Sequence, residues 1–160
     1  MLPTAAWLLT FRTYATWLPG DARGWNRHST SSGPSEREHP QAHLARHAED
    51  HLTSSPVTLT PQERAVVERA IRDVCSHRLW HLLALAVRSN HVHAVVATAE
   101  APPKVAGAWK AWSTRRLRED TGGSWPAVWA RGLSQRHLPR EADVATAIAY
   151  VLEGQDGPRE

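Results

Sequence analysis

The sequence predicts an α+β fold with one antiparallel four-stranded sheet and helices packed on one face. Segments with the two-residue alternation of strands and segments with the apolar spacing of helices follow one another in the order strand, helix, strand, strand, helix, strand, helix. Residues 79–87 and the strand that begins at His91 adjoin so closely that an antiparallel hairpin is the natural connection. This order is that of a ferredoxin-like sandwich.

Length and composition indicate a single domain over residues 1–160 with a mildly basic surface. Lys and Arg number 19 against 16 Asp and Glu, a net charge of +3 that permits a polyanionic partner without requiring one. The eight tryptophans can fill the core or offer platforms for unpaired bases. The single cysteine, Cys75, excludes an internal disulfide and any multi-cysteine zinc site.

The start of the chain predicts neither a signal peptide nor a membrane anchor. MLPTAAWLLTF is short and has no basic segment before its apolar run, and no other stretch is long and apolar enough to span a bilayer. We therefore expect a soluble, cytoplasmic protein with no membrane partner.

The first strand is expected over residues 5–13, followed by a Leu-Pro-Gly-Asp turn at 18–21. Residues 27–58 read as an insertion, with a polar loop over 27–40 and then a short helix. That helix would carry histidines every four residues, which could bind a metal ion or form a solvated polar face: His43, His47 and His51.

A capping box, Thr60-Pro61-Gln62-Glu63, opens the next helix, which is expected to run to about His77. Its apolar stripe consists of Val66, Val67, Ala70, Ile71 and Val74. A buried strand over 79–87 and a turn around Asn90 follow.

Two more helices and a strand complete the chain. Pro102 and Pro103 start a helix to about Glu119, whose apolar side is Val105, Ala108, Trp109, Trp112 and Leu117. A bent strand within residues 125–138 precedes a last helix from Pro139, which buries Val144, Ile148 and Val151 and leaves Tyr150 off that stripe.

His91 and His93 lie in the strand RSNHVHAVVATA, residues 88–99. Because side chains alternate across a strand, both imidazoles share one face with Val95, whereas Val92 faces the other way. Two neighbouring imidazoles can hold one divalent ion, and added oxygen ligands would suit manganese or magnesium. Two ordinary half-exposed strand histidines are the alternative interpretation.

Three segments, taken in order, resemble the REP-associated tyrosine transposases, which are single-tyrosine transposases with an HUH motif (His, hydrophobic residue, His). LTFRTYATWLPGD is similar to the family's first strand and turn, SNHVH to its HUH strand, and WARGLSQRHL with AIAYVLEGQ to its last strand and tyrosine-bearing helix. The resemblance covers most of the chain outside residues 27–58. It implies a ferredoxin-like fold and a role in DNA transposition.

The resemblance implies a metal-dependent endonuclease and strand transferase acting on single-stranded DNA. It assigns the nucleophile to Tyr150 and a Mg²⁺ or Mn²⁺ ion to His91 and His93. A phenol is a poor nucleophile at neutral pH, and a nearby divalent cation favours its phenolate. Attack on DNA would give a covalent 5′-phosphotyrosine and a free 3′ hydroxyl.

A third metal ligand is expected after the tyrosine. In the family it is a polar side chain, commonly glutamine, one helical turn further on. This sequence has Gly154 at that place, so we expect Gln155 as the ligand and keep Glu153 as the alternative.

The expected partner is single-stranded DNA carrying a hairpin, and the protein could act as a monomer or a homodimer. His137 could be a further catalytic group, and Trp17 and Trp25 could stack bases. Phosphate contacts are expected from Arg12, Lys110, Arg115, Arg116, Arg118, Arg131 and Arg136, although a solvated helix face explains the helical charges about as well. An inert nucleic-acid-binding module and a water-using phosphoesterase remain alternatives to the transposase.

Overall fold

Four strands and three helices make up the part of the chain that the structure, a computed structural model, describes: residues 4–15 and 56–153. The order of these elements confirms the sequence prediction. Their bounds are β1 Ala5–Arg12, α1 Pro61–Arg78, β2 His81–Val87, β3 His91–Thr98, α2 Pro102–Thr121, β4 Ser134–Leu138 and α3 Glu141–Leu152.

The sheet has the strand order β2-β3-β1-β4, and every neighbouring pair is antiparallel. The central pair is β1 with β3, in a register that sets Thr10 opposite His93 and Arg12 opposite His91. Residues directly opposite each other in antiparallel strands share a face of the sheet. The register therefore decides which β1 side chains surround the histidines.

Helices α1 and α2 cover one face of the sheet. Their apolar stripes pack on the side of β3 that carries Val92 and on the side of β1 that carries Phe11. The indole of Trp109 is fully buried in this layer and donates a hydrogen bond to Cys75 Sγ at 3.2 Å. Burial raises the pKa of the Cys75 thiol, which marks it as a core residue rather than a reactive one.

Helix α3 packs on the opposite face, which differs from the expectation of helices on one face only. That expectation holds for α1 and α2, but α3 buries Ala147 and Val151 against Val95 and Leu138. The physical reason lies in the face of the sheet that carries His91 and His93, called the histidine face below. This face also carries apolar side chains, among them Val95 and Leu138, and their burial requires a cover. As a result the end of α3 lies over the histidine strand.

The element ends follow local chemistry. The capping box is formed, since Glu63 N donates to Thr60 Oγ1 at 3.2 Å and Thr60 N donates to Glu63 Oε1 at 3.3 Å. Leu79 ends α1 in the left-handed conformation with φ 59°, so β2 begins two residues later than expected, at His81. The last strand is also shorter than the expected span, with Trp129 joined to Thr13 only by an isolated bridge.

The predicted insertion falls almost wholly outside the described residues, as do His43, His47, His51, Trp17 and Trp25. In the described part of the chain, no helix is long and apolar enough to cross a membrane.

Candidate active site

His91 and His93 project from β3 toward α3, with their ring centroids 4.3 Å apart and their planes inclined at 76°. The shared face follows the alternation predicted from the sequence. The environments differ, however, because His91 is half-buried whereas His93 is only 5 % exposed. The alternative interpretation of two half-exposed strand histidines therefore does not hold for His93, since α3 covers it.

The Nδ1 atom of each imidazole lies beside an oxygen. For His91 the neighbour is Asn90 Oδ1 at 2.6 Å, and because a carboxamide oxygen only accepts, His91 Nδ1 is the donor. For His93 the neighbour is Thr10 Oγ1 at 3.0 Å. A hydroxyl can donate or accept, so this bond is compatible with either neutral form of His93. Both contacts engage Nδ1, and the Nε2 atom of His93 is itself buried.

Tyr150 lies in the last turn of α3, with its ring centroid 5.8 Å from that of His93 and the two planes at 74°. Its side chain is 43 % exposed, so the phenol is within reach of a ligand in solution. The other tyrosine, Tyr14, follows β1, where its backbone N–H donates to Val128 and its carbonyl accepts from Val57. The structure thus brings together the three side chains assigned to catalysis, His91, His93 and Tyr150.

The histidine pair fits a divalent cation as part of its ligand set. A metal ion binds an imidazole nitrogen at about 2 Å, so rings this close can share one ion. Within residues 4–15 and 56–153, no third His, Cys, Asp or Glu completes a cluster with the pair. Glu153 is exposed at the end of α3 and does not join it, and Gln155 lies outside the described residues.

Comparison with known proteins identifies the fold. No protein-family model matches the chain, and no curated protein matches it in sequence. In structure, the chain is similar to a REP-associated tyrosine transposase that was solved bound to a REP hairpin, with a TM-score of 0.52 and 14 % identity. The match covers 92 % of this chain, which spans 64 % of the length of that transposase.

A second similar structure is a "putative transposase" from Deinococcus radiodurans R1, with a TM-score of 0.54 and 15 % identity over 94 % of this chain and 91 % of the other. The chain has the fold of a REP-associated tyrosine transposase. At this level of identity the comparison speaks for the fold, and the chemistry must be argued from the side chains.

Two of the predicted DNA-binding arginines lie on the histidine face of this transposase fold. Arg12 stands directly opposite His91 in the β1–β3 register. Arg136 lies on the edge strand β4, opposite Leu8 of β1, and the Arg136 side chain is exposed. Arg131 is exposed in the segment before β4. Arg12 and Arg136 therefore offer positive charge on the side of the sheet that carries the candidate nucleophile.

The four predicted cations of α2 lie on the other side of the sheet. Lys110 Nζ donates to the carbonyls of Ala130 at 3.1 Å and Gly132 at 2.9 Å, and burial lowers its pKa. Arg118 donates to the carbonyl of Trp125 at 2.7 Å. Arg116 pairs with Asp73 at 3.2 Å, and the guanidinium of Arg115 lies 5.3 Å from the Trp112 ring. The structure does not bring this group together with the histidines.

Sequence reasoning missed the role of two residues at the site. Asn90 was expected to shape the turn, and Thr10 carried no expectation at all. Thr10 could be found only through the strand register, because it lies 83 positions from His93 in the chain. Asn90 had a weak signal, since a carboxamide directly before a candidate ligand can reach its ring nitrogen.

Proposed function

We propose that this protein is a metal-dependent HUH single-tyrosine transposase that cleaves single-stranded DNA and rejoins it through a covalent 5′-phosphotyrosine. The observation that carries the proposal is the position of Tyr150, an exposed phenol on α3 whose ring lies against His93. Helix tyrosines are common, but one placed over a histidine pair on a transposase fold has a specific chemical use.

The proposed reaction is a transesterification at phosphorus. The Tyr150 phenol loses its proton, its oxygen forms a bond to the scissile phosphorus, and the bond from phosphorus to the 3′ oxygen breaks. The 3′ oxygen takes up a proton and leaves as a free hydroxyl. The number of phosphodiester bonds is conserved, so a second strand end can displace the tyrosine and restore a continuous strand.

In this proposal the residues of the chain itself orient the metal ion and the attacking phenol. His91 and His93 would hold a Mg²⁺ or Mn²⁺ ion through their Nε2 nitrogens, together with a further ligand that we expect from Gln155. Such an ion, when bound, supplies Lewis-acid polarisation of the scissile phosphate. Because α3 is packed on the sheet through Val151, the phenol of Tyr150 is held near the histidines.

We infer that the substrate is single-stranded DNA with a hairpin. A REP-associated transposase of this fold has been solved bound to a REP hairpin, which supports a hairpin-bearing partner. The exposed Arg136, together with Arg12 opposite His91, gives the histidine face the positive charge needed for phosphate contacts. Binding to unpaired strands should exceed binding to fully paired duplex of equal length, because exposed bases can stack on aromatic side chains.

The decisive experiment is to trap the covalent adduct. Hairpin-bearing single strands, labelled on the 3′ side of candidate cleavage sites, are incubated with the protein and Mg²⁺ or Mn²⁺ and separated on denaturing gels. The wild type should give a labelled protein–DNA band. Tyr150→Phe should lose both the band and cleavage while still binding DNA, and the matched variant Tyr14→Phe should keep both. Cleavage by Tyr150→Phe without any adduct would instead indicate a water-using phosphoesterase.

A catalytically inert nucleic-acid-binding module is the second candidate. It is favoured by the lack of a third His, Cys, Asp or Glu beside the pair in residues 4–15 and 56–153. In that case the wild type would bind hairpin-bearing strands but would neither cleave them nor form an adduct with any divalent metal.

A further inference from the structure

We propose that Asn90 is a positioning residue for His91: its side-chain oxygen holds the proton of the ring on Nδ1 and thereby presents Nε2 as the metal-binding nitrogen. This inference rests on the proposed function for its purpose, but the proton position itself can be measured without DNA or metal. The contact that carries it is the 2.6 Å distance from Asn90 Oδ1 to His91 Nδ1.

The backbone of Asn90 is fixed independently of its side chain. Its carbonyl oxygen accepts from the Thr13 N–H at 2.9 Å and from Thr13 Oγ1 at 3.2 Å, and Thr13 is fully buried. The turn is also closed by Arg88 N, which donates to the His91 carbonyl at 2.8 Å. Two sets of bonds from different parts of the chain therefore hold Asn90 in place, so its carboxamide is presented to His91 by a rigid turn.

The chemistry of the contact gives it a direction. A neutral imidazole has one N–H donor and one lone-pair nitrogen, and the partner of one nitrogen sets which form is present. Since Asn90 Oδ1 can only accept, it stabilises the Nδ1–H form of His91. Metal-binding histidines commonly donate the N–H of their second ring nitrogen to an oxygen acceptor, and loss of the acceptor typically weakens metal binding about 10–100-fold.

Asn90 differs in this respect from Thr10, which makes the corresponding contact to His93. The Thr10 hydroxyl can reverse its direction, so it does not select a form of His93. Of these two contacts, the one from Asn90 selects a neutral form of its histidine and the one from Thr10 does not.

The test compares wild type, Asn90→Ala and Asn90→Asp in the full chain, labelled with ¹⁵N at histidine and free of metal. In the wild type at a pH where His91 is neutral, the ¹⁵N shifts should show a protonated Nδ1 and a lone pair on Nε2. Asn90→Ala should shift His91 toward a mixture of the two neutral forms, and its Mn²⁺ affinity should fall about 10–100-fold. Asn90→Asp, which keeps an acceptor oxygen in the same place, should restore the Nδ1–H form and most of the affinity.

Gln135→Ala, which removes a carboxamide from the exposed edge strand β4, is the matched control and should change neither reading. Circular dichroism of each variant verifies the fold. An unchanged His91 proton position in Asn90→Ala, or a wild type protonated on Nε2, would overturn the positioning role. If the wild type has the Nδ1–H form but binds no Mn²⁺, Mg²⁺ or other divalent ion, the positioning stands and the proposed metal-dependent function fails.

Discussion

The Nδ1 atom of His93 lies 3.0 Å from Thr10 Oγ1, across the central β1–β3 pair of the sheet. His93 is almost fully covered, and a buried polar atom is costly when a hydrogen-bonding neighbour is removed. The two residues lie 83 positions apart in the chain and meet because β1 pairs with β3, so this contact depends on the sheet register.

We therefore predict that Thr10→Val, which replaces the hydroxyl by a methyl group of similar size, destabilises the fold by about 1–3 kcal/mol. Urea unfolding measures the loss. Thr10→Ser keeps the hydroxyl and should recover most of the stability. Equal stability of the valine variant and the wild type would show that the hydroxyl contributes nothing to holding His93.

His91→Ala and His93→Ala should differ in stability but not in metal binding. Both remove one imidazole of the pair, so both should abolish divalent-ion binding in calorimetric titration. His93→Ala also empties a covered position beneath α3 and should cost about 1–3 kcal/mol, whereas the half-buried His91 should cost less. Metal binding that persists in both variants would show that the ion binds elsewhere than at this histidine pair.

The two arginines of the histidine face should carry the salt dependence of DNA binding. Arg12→Ala with Arg136→Ala removes two of the proposed phosphate contacts, so the magnitude of the slope of log affinity against log salt for single strands should fall by about 1.4. Fluorescence anisotropy over a salt series measures it. Arg115→Ala, on the helix-covered side, is the control with little expected effect. An equal or larger change for Arg115→Ala would indicate that DNA lies along α2 instead.

Lys110 should contribute to the free energy of unfolding of the protein. Its ammonium group donates to two carbonyls of the segment before β4, so Lys110→Met should cost about 1–2 kcal/mol at neutral pH. The matched variant Lys104→Met removes an exposed lysine of the same helix, and the cost should be small.

The Lys110 contribution should also depend on pH. Burial lowers its pKa in the folded state, so between that pKa and the ordinary value the unfolded chain binds more protons. The stability difference between wild type and Lys110→Met should therefore grow as the pH rises through this window and stay constant below it. Urea unfolding at a series of alkaline pH values measures the difference, and a difference that shrinks would contradict the assignment.

The sequence by itself determined the features that depend on local pattern. The two-residue period of a strand is enough to set His91 and His93 on one face, and the Thr60 capping box is enough to start α1. The order of the elements followed from the same periodicities and predicted the antiparallel sheet, which the structure confirms. Residues 154–160 and the insertion lie largely outside the described chain, so the expected ligand Gln155 stays a prediction.

Tertiary structure alone decided which distant residues meet. The face chosen by α3, the approach of Tyr150 to His93 and the contact from Thr10 all depend on strand register and on which apolar surfaces cover each other. Packing also gives Lys110 and Arg136 different roles, although both are simply basic residues in the sequence. Lys110 donates to backbone carbonyls beside α2, whereas Arg136 faces solvent. Periodicity reports which side of an element a residue occupies, whereas packing between elements decides what that side contacts.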